Sequence, residues 1–451
     1  MDIEQLIKKI EQDYAVEKIK VNDIQVWPFL KIFFFDQLYV EGGTRVNLSI
    51  LQKLSLVFSA LFGIFRKTKN REYLIFTNGQ QRRWINGKWT DKLMSPIATK
   101  LDKHLILEQP HFLHHHIFQR PEEKAKSNIL LRLRENGMKK SSLEAAITGR
   151  EILSELCNTY EVDLDVDELF RRFHAQVQLG EYLVSNNPSL KAVFVSAPYM
   201  NMGMVYALNK SGVKVVELQH GAIHKAHFGY VQYKQFDRHL FPSQIWSWGL
   251  GVKSIFDDEN KMMASSNVKA IGHYYLEEIK GQFSHREDSR AIEIAVSLQD
   301  DAVGQELVGW VIQAASLNPE LRFKLVRRNL PMSFYSTYSF PKNVVFSDKD
   351  VYQTILDSDV HCTVFSSCAL EAPFLGVPNL MVNLKGKSKA YFEGNLNESN
   401  SRFVLSNKGL LPVIEELLHL EKKKIISSNE HNIIQGYHVN LEKAIESLKE
   451  E

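Results

Sequence analysis

Short apolar runs punctuate the chain at intervals set by longer amphipathic stretches. In the first half, Tyr73–Thr77 (YLIFT), His104–Leu107 (HLIL), Ala192–Ser196 (AVFVS) and Val213–Leu218 (VKVVEL) are β-branched or apolar segments without a polar face. Such segments predict strands buried on both sides of a parallel sheet. Helical spacing over 129–136, 143–158 and 166–184 places helices between them, the strand-helix alternation of an α/β domain. The second half repeats the pattern. Ile292–Leu298, Phe323–Val326, Val344–Phe346, Val360–Phe365 and Asn379–Asn383 read as strands. Gln305–Leu317, Val351–Leu356 and Ala369–Leu375 read as helices, the first stopped by Asn318-Pro319.

The segment Phe241–Asn267, rich in Ser, Trp and Gly, separates the two halves, so the domains are expected at 1–265 and 266–451. The tail over 432–450 is amphipathic and is expected to close the second domain as a helix. The predicted fold class is therefore α/β, with two Rossmann-like domains facing a central cleft, where ligands sit at the carboxyl ends of the strands.

Composition narrows the chemistry. The 451 residues include 55 Lys plus Arg against 53 Asp plus Glu, a formal charge of +2, which lacks the basic excess of a nucleic-acid binder. Cys157, Cys362 and Cys368 are too few and too scattered for a disulfide framework or a structural zinc site. A reducing, cytoplasmic setting is expected. Met1–Ala15 lacks the pattern of a signal peptide. Leu54–Phe65 (LSLVFSALFGIF) is shorter than the roughly 20 residues of a spanning helix. With Arg66, Lys67 and Lys69 behind it and Trp27–Phe35 ahead, it reads either as a buried helix or as a peripheral contact with the inner face of the cytoplasmic membrane. Neither G-x-G-x-x-G after a strand nor G-x-x-x-x-G-K-[ST] occurs, which disfavours dehydrogenase and NTPase chemistry. No metal is expected. His111, His114, His115 and His116 have no acidic or cysteine partner at ligand spacing.

Two segments carry candidate chemistry. In Ser358–Val382 (SDVHCTVFSSCALEAPFLGVPNLMV) a strand meets Ser366-Ser367 at a helix start, where hydroxyls and free N–H groups can hold phosphate, with Glu371 one turn on. The plain alternative is a serine cap with Glu371 solvated. In Val213–Tyr230 a strand runs into Gln219-His220-Gly221. His220 at a strand's carboxyl end can take a proton from an attacking hydroxyl or offset a leaving phosphate, and Gly221 gives a ligand room. The plain alternative is a structural histidine.

The element Ser-Ser-x-x-x-Glu-Ala-x-x-x-Gly-x-Pro resembles the donor-binding signature of two-domain (GT-B fold) glycosyltransferases, and a similar element occurs in UDP-N-acetylglucosamine 2-epimerases. Gln-His-Gly after a buried strand, with Pro242 and Trp248-Gly249 downstream, resembles enzymes that build bacterial capsules, O-antigens and teichoic-acid-like polymers. The resemblance implies that Ser366 and Ser367 contact donor phosphate, that Glu371 contacts the ribose or its equivalent, and that Gly376 and Pro378 shape the turn. Ala295–Asp301 (AVSLQDD), with Gln299, resembles the start of the donor domain. Phe323–Pro331 resembles a Lys-x-His-Pro element, with Lys324, Arg327 and Arg328 as the basic residues on offer and the arginines better suited to bidentate phosphate recognition. A solvated basic loop is the alternative.

The implied activity is metal-independent, inverting transfer of a sugar from a nucleotide-sugar donor to a glycan or lipid-linked acceptor in bacterial surface polysaccharide synthesis (capsule, O-antigen or lipopolysaccharide). His220 is the expected base or phosphate partner, with Glu108 and Asp300 as alternative bases. Thr77–Lys92, carrying Arg82, Arg83, Trp84, Lys88 and Trp89, is the expected acceptor loop. Alternatives are a sugar-nucleotide 2-epimerase and a non-catalytic scaffold of a polysaccharide assembly complex.

Overall fold

The computed structural model describes residues 3–39, 69–85, 87–109, 126–141, 146–280, 291–299, 302–328 and 330–450. Leu54–Phe65, His111, His114, His115, His116 and Asp300 lie outside the described residues.

The first sheet has seven parallel strands in the spatial order Val268–Ala270, Gln244–Ser247, Lys214–Leu218, Ala192–Val195, Tyr73–Asn78, His104–Gln109, Lys126–Ser127. The second has six, again all parallel, in the order Val344–Phe346, Leu321–Val326, Ile292–Ser297, Val360–Thr363, Asn379–Val382, Ser401–Val404. Numbered along the chain within each sheet, both run 3-2-1-4-5-6, the first with one further strand. That is the Rossmann order, with its reversal between the first and fourth strands. The chain is thus α/β, two Rossmann-like domains in a GT-B-like pairing.

Alternation along the strands explains why both faces are apolar. In the first sheet Tyr73, Ile75, Ile106, Phe194, Val216 and Trp246 pack on one face. Leu74, Leu107, Val193, Val195 and Val215 pack on the other, under the helices Val166–Asn186 and Met202–Lys210. The long helix opens at Asp165, whose carboxylate accepts the Glu168 N–H at 3.0 Å.

An amino-terminal helix pair, Ile3–Asp13 and Trp27–Tyr39, is tied to the first domain by a fully buried ion pair. Lys31 donates to Glu11 Oε1 at 2.8 Å and also to the Val231 carbonyl. Glu11 Oε2 accepts from the backbone N–H of Tyr233 at 2.7 Å and of Lys234 at 3.2 Å. A buried carboxylate satisfied on both oxygens is tolerated where a bare one is not. It fastens the segment that follows His220.

Three expectations are corrected. The helix expected from Leu143 begins only at Arg150, because Ile147–Thr148 pairs with Lys20–Val21 in a three-stranded sheet and Gly149 turns the chain with φ +74°. The first sheet extends past the junction expected at 265/266, since Val268–Ala270 pairs with Gln244–Ser247. The closing helix, Tyr437–Glu450, packs Tyr437, Leu441, Ala444, Ile445 and Leu448 against the first sheet rather than the second.

The return crossing is tight. The Ile434 N–H bonds the Trp248 carbonyl at 2.9 Å and the Gly251 N–H bonds the His431 carbonyl at 2.8 Å. A Cβ on Gly249 would stand 2.4 Å from the backbone of Asn432. The Trp248-Gly249 pair therefore serves the crossing between domains. Gly249→Ala is expected to destabilise the protein by about 1–3 kcal/mol through overpacking, read as a lower urea midpoint, and an unchanged midpoint would contradict the close approach.

Candidate active site

Segments that follow strands of the two sheets meet across the domains, His224 against Tyr391 and Lys92 against Tyr352. After Tyr73–Asn78 the chain forms an antiparallel hairpin, Arg82–Ile85 with Lys88–Asp91, where a polar loop was expected. Trp84 faces Trp89 across it, rings 5.4 Å apart, and Trp84 is 58% exposed. Asp91 ends the hairpin. Its Oδ1 accepts from the N–H groups of Leu93 at 2.8 Å and Met94 at 2.9 Å, while the Thr77 hydroxyl donates to Oδ2. The next residue, Lys92, thereby enters the second domain.

Lys92 is 6% exposed and Glu371 1% exposed. The Lys92 ammonium donates to the Tyr352 hydroxyl at 2.8 Å, which donates to Glu371 Oε1 at 2.9 Å, with Lys92 itself 4.0 Å from that oxygen. His273 Nδ1 accepts the Leu276 N–H at 3.3 Å, so its proton sits on Nε2, 3.4 Å from Glu371 Oε1. That distance is too long for a well-formed hydrogen bond. Burial opposes the Glu371 charge, but Lys92, His273 and Tyr352 outweigh it and hold the carboxyl at about 2. Burial pushes Lys92 down, against the pull of Glu371. Burial likewise lowers His273. Glu371 is therefore not solvated. Its Oε2 is buried without a hydrogen-bond partner.

The expected residues Gln219, His220 and Gly221 follow the strand Lys214–Leu218. Gln219 is buried and spends its amide locally, Oε1 accepting the Trp248 N–H at 2.7 Å and Nε2 donating to the Gly221 carbonyl at 2.9 Å. It positions the turn. A Cβ on Gly221 would meet nothing within 4 Å, so the backbone there stands open. Burial first, and Lys92 second, pull the His220 imidazole down to about 4. It is neutral at pH 7, with a buried, unpaired Nδ1.

Behind it lie groups that the sequence reading did not single out, although His224 and His227 stand in the same segment. Tyr199 contacts His220 at 6.4 Å and His227 at 5.3 Å between ring centroids, and His227 lies 4.7 Å from Tyr230. Tyr230 donates to Glu217, a fully buried carboxyl that burial raises to about 8. His224 meets Tyr391 of the second domain at 4.7 Å.

In the second sheet, Gln299 and Phe365–Ser367 leave the two strands that flank the order reversal. Gln299 is buried, donates to the Thr363 hydroxyl at 3.4 Å and leaves Oε1 unpaired. Ser366 Oγ accepts the Cys368 N–H at 3.3 Å, whereas Ser367 makes no side-chain cap. Arg327 and Arg328 are exposed at the end of Leu321–Val326. Lys324 is committed to Glu293 and the Asp357 carbonyl.

Glu108 is paired with Arg82, Nε to Oε1 at 2.8 Å. Its strand lies three spacings from that of His220, about 14 Å at the usual strand separation. The structure does not bring the two together. Among the described residues no three His, Cys, Asp or Glu gather as a metal site, and no helix is long and apolar enough to cross a membrane.

No family model and no curated protein matches this chain. Solved structures with a similar course include the UDP-GlcNAc 2-epimerase of Methanocaldococcus jannaschii in complex with UDP-GlcNAc and UDP (11% identity, TM-score 0.48, 84% of this chain and 99% of that one). The UDP-GlcNAc 2-epimerase of Neisseria meningitidis bound to UDP-GlcNAc aligns at 11% identity and TM-score 0.47, over 84% of this chain and 100% of that one. The calicheamicin glycosyltransferase aligns at 11% and 0.48, over 84% and 98%. The Rossmann assignment rests on the chain's own strand order.

Breaking the buried pair by Lys92→Met is expected to cost about 3–5 kcal/mol, with part recovered in the double variant Lys92→Met/Glu371→Leu. Additive losses in urea melts would show that the two charges are not coupled. Stability should also depend on pH. His220, His224 and His361 sit at about 4 and His227 at about 3, below 6.5 for the free side chain. The unfolded chain protonates first, so their contribution is full above pH 6.5 and is lost as pH falls through about 4. Glu217, raised to about 8, works in the opposite sense but is one group against four. The melting temperature should therefore fall by at least about 5 °C between pH 6.5 and 4.5, at roughly 2–4 °C per kcal/mol. A flat profile would contradict the burial of these histidines.

Proposed function

We propose that this chain is an enzyme acting on a nucleotide sugar held between its two Rossmann-like domains. The observation that carries the reading is the second sheet's switch point, where Gln299 and Ser366-Ser367 leave the strands that flank the reversal. Open α/β sheets take nucleotides there. His220, on the end of a first-domain strand, lies near enough to Lys92 for that ammonium to lower it, and Lys92 reaches Glu371. His220 and Glu371 thus share Lys92 as an electrostatic neighbour.

Two reactions have support. The density of titratable groups around one locus, His220 and Lys92 on one side with His273, Tyr352 and Glu371 on the other, favours 2-epimerisation of the sugar, which needs more than one acid-base group. The exposed Trp84 on its hairpin favours transfer to a glycan hydroxyl, since sugars pack on aromatic faces. In that second reading His220 is the base, and the product belongs to surface polysaccharide synthesis at the membrane's inner face.

The test uses UDP-GlcNAc as probe in D2O, with and without a glycan acceptor, followed by NMR. Deuterium at C2 without acceptor identifies epimerisation, and product that requires acceptor identifies transfer. His220→Ala is expected to lower either turnover by about 10²–10⁴-fold, the usual worth of a general acid-base group, while nucleotide binding persists. Full activity in His220→Ala would remove that residue's role, and absence of both binding and turnover across UDP, GDP, TDP and CMP sugars would leave the scaffold reading.

A further inference from the structure

The diphosphate of a nucleotide sugar needs a cation. The arginines expected to supply it leave the strand on the far side of Ile292–Ser297 from Ser366. The neighbouring strand on the other side, Asn379–Val382, pairs in parallel with Val360–Thr363, so the turns after both leave the same edge of the sheet about 4.8 Å apart. The turn after Asn379–Val382 reads Asn383-Leu384-Lys385-Gly386-Lys387-Ser388.

The turn and the helix Lys387–Phe392 that it opens carry three lysines, which differ in their commitments. Lys385 pairs with Glu306 at 3.2 Å and Lys389 with Glu393 at 3.7 Å. Lys387 is half-buried and makes no ion pair among the described residues. Its ammonium instead lies 5.7 Å from the ring centroid of Phe365, the residue immediately before Ser366-Ser367. Phe365 also meets Tyr391, whose ring stacks on it at 5.1 Å and 29°.

Other polar groups in these turns and in the one after Ile292–Ser297 are unspent. Ser388 is fully buried with an unpaired Oγ, Gln299 is buried with an unpaired Oε1, and Ser367 caps nothing. The backbone is strained there as well, Lys385 taking φ +49°. Such outliers gather where a loop is shaped for a ligand.

We infer that Lys387 is the cation that neutralises the diphosphate at Ser366-Ser367, with Arg327 and Arg328 outside the binding set. A half-buried ammonium over an aromatic ring has lost competing water, so an arriving phosphate gains a charge-assisted bond. The inference rests on the nucleotide-sugar reading and goes beyond it by naming the group that holds the diphosphate.

The experiment is isothermal titration of the full chain with UDP, GDP, TDP and CDP, and with inorganic pyrophosphate. Lys387→Met is expected to weaken the best diphosphate by about tenfold or more, 1.4 kcal/mol. Its effect on the matching nucleoside should be within twofold. Lys387→Arg should restore binding to within about threefold, and the double variant Arg327→Met/Arg328→Met should bind as the wild type does. Thermal melts of each variant, with Lys387→Gln as a second neutral replacement, exclude misfolding as the cause. Diphosphate binding by the wild type that is undiminished in both Lys387→Met and Lys387→Gln overturns this inference alone, as does loss confined to the arginine variant. Failure of the wild type to bind any of the four diphosphates or pyrophosphate overturns the nucleotide-sugar reading and this inference with it.

Discussion

A lysine and a glutamate from different domains share one buried tyrosine hydroxyl, and the geometry of the cleft depends on that contact. Removing two charges from water costs several kcal/mol per ion, which is offset only if the partners stay within reach and correctly oriented. Lys92 comes from the end of a first-domain hairpin, while Tyr352 and Glu371 come from helices of the second. Any large rotation of one domain on the other would strand both charges. Around them Ile85, Trp248, Tyr275, Leu276, Ala372, Phe374 and Leu375 form an apolar cluster drawn from both domains, which keeps the dielectric low and the pair strong.

The same low dielectric sets the protonation states in the cleft. His220, His224 and His227 are neutral because burial disfavours their cations, whereas Glu217, buried but without a cation nearby, keeps its proton. Glu371 has Lys92 beside it, with His273 and Tyr352, where Glu217 has only the Tyr230 hydroxyl, and the two carboxyls end up far apart in acidity. Environments that push like groups to opposite charge states are how one fold obtains an acid and a base at one pH.

Much of the architecture is legible in the sequence because buried parallel strands leave unbroken apolar runs, as in YLIFT or AVFVS. Gln244–Ser247 leaves none. Its Gln244 and Ser247 are buried but satisfied locally, through Trp246 Nε1 and the Gly249 carbonyl, so no hydrophobic signal marks the strand. The site divides in the same way. His220, Gln299 and Ser366-Ser367 follow strands and are readable from position alone. Lys92, His273 and Tyr352 are scattered over 260 positions and meet only once the domains pair, as the Lys92 to Tyr352 bond shows. No spacing rule reaches across that distance. Glu371 is readable as a carboxylate one turn into a helix, but its burial depends on those partners and is invisible without them.

The helix Tyr437–Glu450 completes the first sheet. Tyr437 to Leu448 cover residues near position 75, so a face of the first sheet lacks its cover until about 360 further residues have left the ribosome. During synthesis the first sheet emerges early but keeps an apolar face exposed, and the second domain forms before that face is closed. Biogenesis is thus coupled over long range: a message cut short just before Tyr437 would spare the strands of the second sheet and leave the first as the chaperone substrate.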